Sequence, residues 1–397
     1  MIETTNLIPV IFGVMVFLAS LISLKLGISV AIVEILLGAI GGQFGLQAQE
    51  WMTYLAGFGG ILLTFLAGTE IDTDLMKQKF KASFLIGFFS FLLPFLGVAA
   101  YTYFVAHWNL QAALIAGTAL STTSLAVVYS VLVESGLSRT ETGKLLMSAT
   151  FITDISTALA LSILFIKPNL YTLVFIIVSI VLIYFAARFS HVIFDHPGLK
   201  NKVVEPEIKY LFLLLLLFMY FASIGNGQAV LPAFVLGLLM SRHFKETAET
   251  RVVRNRLRTV AYAIITPAFF IVGGMRVSFP LIATAIGLFL ILFFLKMITK
   301  FIGVFFLARK YIPHGATYTT LLMSTGLTFG TISSMFGLTA GLINQVQYSL
   351  LIGVVIMSAV IPTFIAQKWF MPVHSEDIVE INGNGNENQM VEGNFGG

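Results

Sequence analysis

Residues 150–162 read TFITDISTALALS. They lie within an apolar run, residues 143–166, that is long enough to cross a bilayer, and Asp154 falls near its middle. An isolated charge at that depth costs at least ~2.5 kcal/mol. Hydroxyls surround it at Thr150, Thr153, Ser156 and Thr157. An acid in this position either binds an ion or a proton on a transport route or is a structural aspartate paired with a buried cation. Intramembrane acids are usually functional, so the first reading is adopted.

The rest of the chain supplies the membrane setting. Of its 397 residues, 57% are hydrophobic and only 11% charged, against about 25% charged in soluble domains. Apolar runs of about 20 residues recur from end to end, which defines an all-α polytopic membrane protein. Solid runs such as residues 210–222 do not alternate, which excludes a transmembrane barrel. The chain has no cysteine, so disulfides, thiol chemistry and cysteine metal sites are excluded. The six histidines fall in no metal-ligand spacing, no dinucleotide fingerprint is present, and no Ser/His/Asp arrangement points to an enzyme. No cofactor and no nucleic-acid partner is expected, because topology accounts for the net charge of +4. The first apolar run follows Glu3 with no basic residue before it, so no cleavable signal peptide is expected.

Thirteen spans are predicted: residues 6–24, 28–43, 52–69, 82–106, 111–134, 143–166, 169–188, 207–223, 228–242, 259–275, 280–308, 314–339 and 343–370. The segment 242–258 is expected to be a cytosolic surface helix, and the Gly/Asn-rich tail, residues 371–397, a disordered cytoplasmic one. With the N-terminus outside and the C-terminus in the cytoplasm, cytoplasmic loops hold 19 of the 23 Lys and Arg. Outer loops hold two, Lys167 and Arg276, while Lys296 and Lys300 fall inside the eleventh span.

Segments recur about 200 residues apart. VEILLGAI (33–40) resembles PAFVLGLL (232–239), and LLTFLAGTEI (62–71) resembles PAFFIVGGMR (267–276). ALSTTSLAVVYSVLVESGL (119–137) resembles LMSTGLTFGTISSMFGLTAGL (322–342). Spans 1–6 then match spans 8–13 across an odd offset of seven, so the two six-helix repeats are inverted, the plan of secondary transporters. The third pair places Ser121, Thr122, Thr123 and Ser124 opposite Thr325, Gly326, Thr328 and Gly330, near the middles of corresponding spans. Such residues suit helices that break and cross in mid-membrane, although small residues also serve close helix packing. Crossed breaks bring together half-helix ends of both signs, for which Asp154 and Lys300 are the candidate compensating charges.

A carboxylate can hold a proton or a hard cation, not readily both. Sodium or potassium at Asp154 would take further oxygen ligands from Thr123, Ser124, the adjacent Thr153 and freed backbone carbonyls. Lys300 and Lys296, one turn apart, either face the core as charge compensators or snorkel to the surface. Weaker signals are Glu34 and Glu70, which would line a cytoplasmic vestibule unless Glu70, with Asp72 and Asp74, is simply solvated, Asn226 and Gln228 in an outer loop, and Tyr129, Phe269 and Phe270, read as packing.

The strings GISVAIVEILLGAIGGQFGL, FLAGTEID, STTSLAVVYSVLVESGL, TDIST and ITKFIGVFFLAR resemble the cation–proton antiporter superfamily over residues 6–370. The similarity is closest to the branch holding the NapA-type sodium/proton antiporters and the Kef potassium efflux systems. It implies an NhaA/NapA-like fold and a homodimer in the cell membrane. Residues 1–81 and 207–279 would form the dimerisation domain, 82–166 and 280–370 the ion-transporting core, and 167–206 the linker helix and cytoplasmic loop. Asp154 matches the family's ion-binding aspartate and Lys300 its core lysine, with an elevator movement of the core carrying the site. One departure matters: NapA-like members carry two adjacent acids where this chain has Thr153 before Asp154. One proton or one cation on Asp154 alone makes Na+/H+ exchange electroneutral, and a proton released by Lys300 would make it electrogenic. The first is the expectation. The alternatives are potassium/proton exchange, a sodium-coupled solute symporter of the same fold, and a cation channel.

Overall fold

A segment in lipid must close its own backbone hydrogen bonds, and the described residues do so with helices. The computed structural model describes residues 4–27, 29–70, 80–135, 137, 140–165, 170–195, 205–225, 229–246 and 248–372. The expectations for the tail from residue 373, for Asp72 and Asp74, and for Asn226, Gln228 and Lys167 lie outside them.

The chain opens with α1 (Thr4–Leu26), α2 (Val30–Gln43), α3 (Glu50–Glu70), α4 (Phe80–Phe104), α5 (Leu110–Ser121), α6 (Leu125–Glu134) and α7 (Glu141–Leu164). α8 (Leu170–Asp195) follows. Then come α9 (Pro206–Ile224), α10 (Val230–Glu246), α11 (Ala248–Val260), α12 (Thr266–Met275), α13 (Phe279–Thr284), α14 (Ile286–Tyr311), α15 (Ala316–Met323), α16 (Thr328–Thr339) and α17 (Gln345–Trp369). Among the described residues, ten helical stretches are long and apolar enough to span a membrane. Three shorter apolar helices, Val30–Gln43, Leu110–Ser121 and Val230–Ser241, accompany them. The protein is a multi-pass, all-helical membrane protein.

Three details differ from the expected spans. The basic segment does not lie apart: α11 runs through a π-helical turn (Ala261–Ile265) straight into α12. No Gly or Pro occurs in residues 248–266 to stop it, and the wider turn lies just before Pro267, which has no N–H to donate. The eleventh span starts where Ser278 caps a short α13 with Pro280 in its first turn, and it is split at Ala285, after which α14 begins. α8 extends seven residues beyond the expected end at residue 188.

Small residues set the packing, as lipid supplies no hydrophobic drive between helices. A methyl on Gly38 would strike the Ile271 carbonyl, and one on Gly274 the Ile35 carbonyl, so α2 and α12 run backbone to backbone. Gly68 and Gly237 do the same for α3 and α10, against the Phe234 and Phe65 carbonyls. A second group packs around α4, which lies against α5, α7 and α14, while α16 crosses α5 and α17 covers α14 and α16. Gly87 presses on the Ala149 carbonyl of α7, and Gly303 of α14 on Phe89 of α4. α1 and α8 turn large apolar side chains outward, among them Phe17, Leu21, Tyr171 and Phe185, onto what would be lipid.

Candidate ion-binding site

The site is built where two helices stop. α5 ends at Ser121 and α6 starts at Leu125, while α15 ends at Met323 and α16 starts at Thr328. The residues between are extended or irregular, and the two gaps satisfy each other. Ser124 N donates to the Thr325 carbonyl at 3.0 Å. Thr123 Oγ1 donates to the Met323 carbonyl at 2.8 Å. Two helix C-termini and two N-termini thus converge, with partial charges of both signs.

Glycine is required at the crossing. A Cβ on Gly326 would sit 2.6 Å from Lys296 Nζ and 2.7 Å from Thr122 Oγ1. One on Gly330 would lie 2.8 Å from Val355 and 3.0 Å from the Ala119 carbonyl. Most hydroxyls here bond back to their own helix: Ser121 to Thr118, Thr122 to Ala119 and Thr325 to Leu322. Thr328 opens α16 at the edge of its gap. Ser124 Oγ accepts from Val127 N at 3.4 Å and so caps α6. Thr123 alone of this set reaches across to the other interrupted helix with its side chain.

The charged side chains lie against this crossing. Lys296 and Lys300 are both 0% exposed, so both face the core and neither snorkels. Lys300 Nζ donates to Ser90 Oγ at 2.8 Å and to Thr123 Oγ1 at 3.0 Å. Lys296 Nζ donates to Ser358 Oγ at 2.7 Å. Asp154 is 2% exposed on α7, within electrostatic reach of the Lys300 ammonium, as is Lys296. Beside it, Thr153 Oγ1 donates to the Gly87 carbonyl at 3.1 Å and to Ala149 at 3.2 Å, so it pins α7 to α4. Thr150 donates to Leu146 and rests on Met323 Sδ at 3.5 Å.

The structure therefore gathers Asp154, Thr123, Lys300 and Lys296 around the gaps, with Ser121, Thr122, Thr325 and Gly326 forming their edges. It directs the Ser124 and Thr153 hydroxyls to helix backbones. Sequence reading missed Ser90, Met323 and Ser358. A signal existed for the first: Ser83, Gly87 and Ser90 form a small, polar stripe at helical spacing on a phenylalanine-rich α4. Glu34 is buried in α2 at 2% exposure rather than lining an open vestibule. Phe269 and Phe270 pack in the core, whereas Tyr129 is exposed.

A helical membrane bundle with charges sealed at a pair of interrupted helices is the architecture of a transporter, not of an enzyme. The chain belongs to the transmembrane sodium/hydrogen exchanger family, whose sequence profile matches residues 13–370. A probable Na(+)/H(+) antiporter of Methanocaldococcus jannaschii is 25% identical over 84% of this chain and 88% of its own. The Na(+)/H(+) antiporter of Enterococcus hirae is 28% identical over 90% and 96%. The Na(+)/H(+)-K(+) antiporter GerN of Bacillus cereus is 25% identical over 87% and 90%. The fold is similar to that of the sodium proton antiporter MjNhaP1 of M. jannaschii, with a TM-score of 0.69, 17% identity, and coverage of 91% of this chain and 97% of that one.

Proposed function

We propose that the protein exchanges Na+ for H+ across the cell membrane, with Asp154 holding either the proton or the cation. The observation that carries this is a buried carboxylate beside two tied helix gaps, where Thr123 Oγ1 and the Met323 carbonyl supply oxygens. Potassium is the second reading, supported by the name of the B. cereus relative. With Thr153 engaged on Gly87 and no second acid beside Asp154, one charge exchanges for one and transport is electroneutral.

Twelve of the thirteen crossings form two inverted six-helix repeats, with the seventh, α8, joining them. Packing supports this, because the pairs α2–α12 and α3–α10 exchange when the first six spans are mapped on the last six. So do α4–α7 with α14–α17, and α6–α7 with α16–α17. Gly38 and Gly237, at matching places in the repeated strings, each meet a carbonyl of the partner helix. The group around α4 is the moving core and the group around α3 a scaffold that pairs with a second copy, with the N-terminus outside and the C-terminus in the cytoplasm. An elevator movement of the core presents Asp154 to each side in turn. Lys300 and Lys296 offset the converging C-termini. The test is proton flux from vesicles on adding sodium, potassium or lithium separately. Activity that survives in Asp154→Asn removes the assignment.

A further inference from the structure

Arg276 caps the C-terminus of α12, at the end remote from the basic helix α11. That end faces outward in the topology set by the positive charges. Beside it lies a cavity of about 450 Å³ between α3, α9, α12 and α16, walled by Thr53, Phe269, Val272, Met335, Phe336 and Thr339 among others. Arg276 is the one charged residue on that wall. Its Nη1 lies 3.6 Å from Met335 Sδ, a soft contact that neutralises nothing. Among the described residues, no carboxylate forms an ion pair with it.

The guanidinium is held by a braced backbone. Arg276 N donates to Gly273 O at 3.3 Å, and the Gln345 side-chain amide donates to the Arg276 carbonyl. Tyr348 Oη donates to Gly273 O at 2.7 Å, and Ser278 N to Ser349 Oγ at 3.0 Å. α12 and α17 are thereby tied together directly behind the charge.

A cleft of one charge sign with low-dielectric walls focuses its field. A fixed positive charge scales the monovalent cation concentration in the cavity by a factor below one, and that of a divalent cation by its square. We propose that Arg276 is a charge filter on the outer cavity: it weakens cation uptake from outside and discriminates against divalent cations. This rests on the exchange reading above, with the cavity as the outer part of the route. Protons are excluded by the same factor as sodium, so the effect on sodium affinity is clear only at an alkaline outer pH, where protons do not compete.

The test measures exchange in right-side-out and everted vesicles carrying wild type, Arg276→Lys, Arg276→Gln or Arg276→Glu. The outer KM for sodium is expected to fall about threefold in Arg276→Gln and further in Arg276→Glu, with kcat little changed and Arg276→Lys like wild type. The inner KM stays constant, and outer Mg2+ inhibits the Gln and Glu variants more strongly. In wild type and Arg276→Lys, and not in Arg276→Gln, raising the ionic strength with choline chloride lowers the outer KM, because salt screens the positive charge. An outer KM that ignores both charge and ionic strength overturns the proposal, as does an equal shift at the inner face. Absence of any cation/proton exchange in wild type removes the exchange reading and this proposal with it. Intact wild-type exchange with a charge-blind outer KM overturns the filter alone.

Discussion

Lys300 and Thr123 lie 177 residues apart in the chain and meet at 3.0 Å, the ammonium donating to the hydroxyl. The same hydroxyl donates onward to the Met323 carbonyl. One small side chain therefore joins a core cation, the gap after α5 and the end of α15. Thr123→Val keeps the shape and loses both bonds. A hydrogen bond to a charged group contributes about 1.5–3 kcal/mol, so a tenfold or larger rise in the KM for the cation and a lowered melting temperature are expected. Thr123→Ser keeps both. Transport assays paired with thermal melts of the purified protein separate the two outcomes.

Asp154→Asn removes the charge with little change in volume. Exchange is expected to fall to the level of empty vesicles, while the protein still elutes as a single species by size-exclusion chromatography. The fall arises at the site, since an amide can neither release a proton at neutral pH nor neutralise a cation.

Thr153→Asp places a second carboxylate next to Asp154. Exchange is then expected to become voltage-dependent, rising or falling several-fold when a potential is imposed on proteoliposomes, while wild type responds weakly. A steep voltage response in wild type would show that Lys300 already moves a proton in each cycle.

Gly326→Ala puts a methyl 2.6 Å from Lys296 Nζ in a place with no room. Overpacking of this kind costs about 1–3 kcal/mol, seen as a lower melting temperature. Adding Lys296→Met moves the obstructing ammonium out of the contact, and the two changes should be non-additive. Simple additivity would mean that the two groups do not share the space.

Helix class and membrane setting were legible because apolar runs of the right length leave no other economical structure in lipid. The gaps at Thr123 and Gly326 were legible because hydroxyl and glycine clusters occur at matching places in two similar strings, residues 119–137 and 322–342. The partners that complete the site were not. Ser90 and Ser358 look like any other serine in an apolar helix, and only packing decides that they meet ammonium groups. Met323 takes part through its backbone carbonyl, which no side-chain pattern encodes. The inward direction of Lys296 and Lys300 also rested on packing, since a lysine in a long helix has two solutions until its neighbours are fixed.

The tie between Thr123 and Met323 has a consequence for biosynthesis. Its two ends are separated by 200 residues. At ~5–20 residues per second, the ribosome needs about 10–40 s to make the second after the first. During that time the polar gap after α5 enters the membrane without its partner, and the hydroxyl that later receives Lys300 must be tended by water, the insertion machinery or a neighbouring helix. The crossing at Thr123 and Met323 is therefore among the last parts of the molecule to be finished. Substitutions there would be expected to register first as slow or faulty maturation, and afterwards as a change in transport.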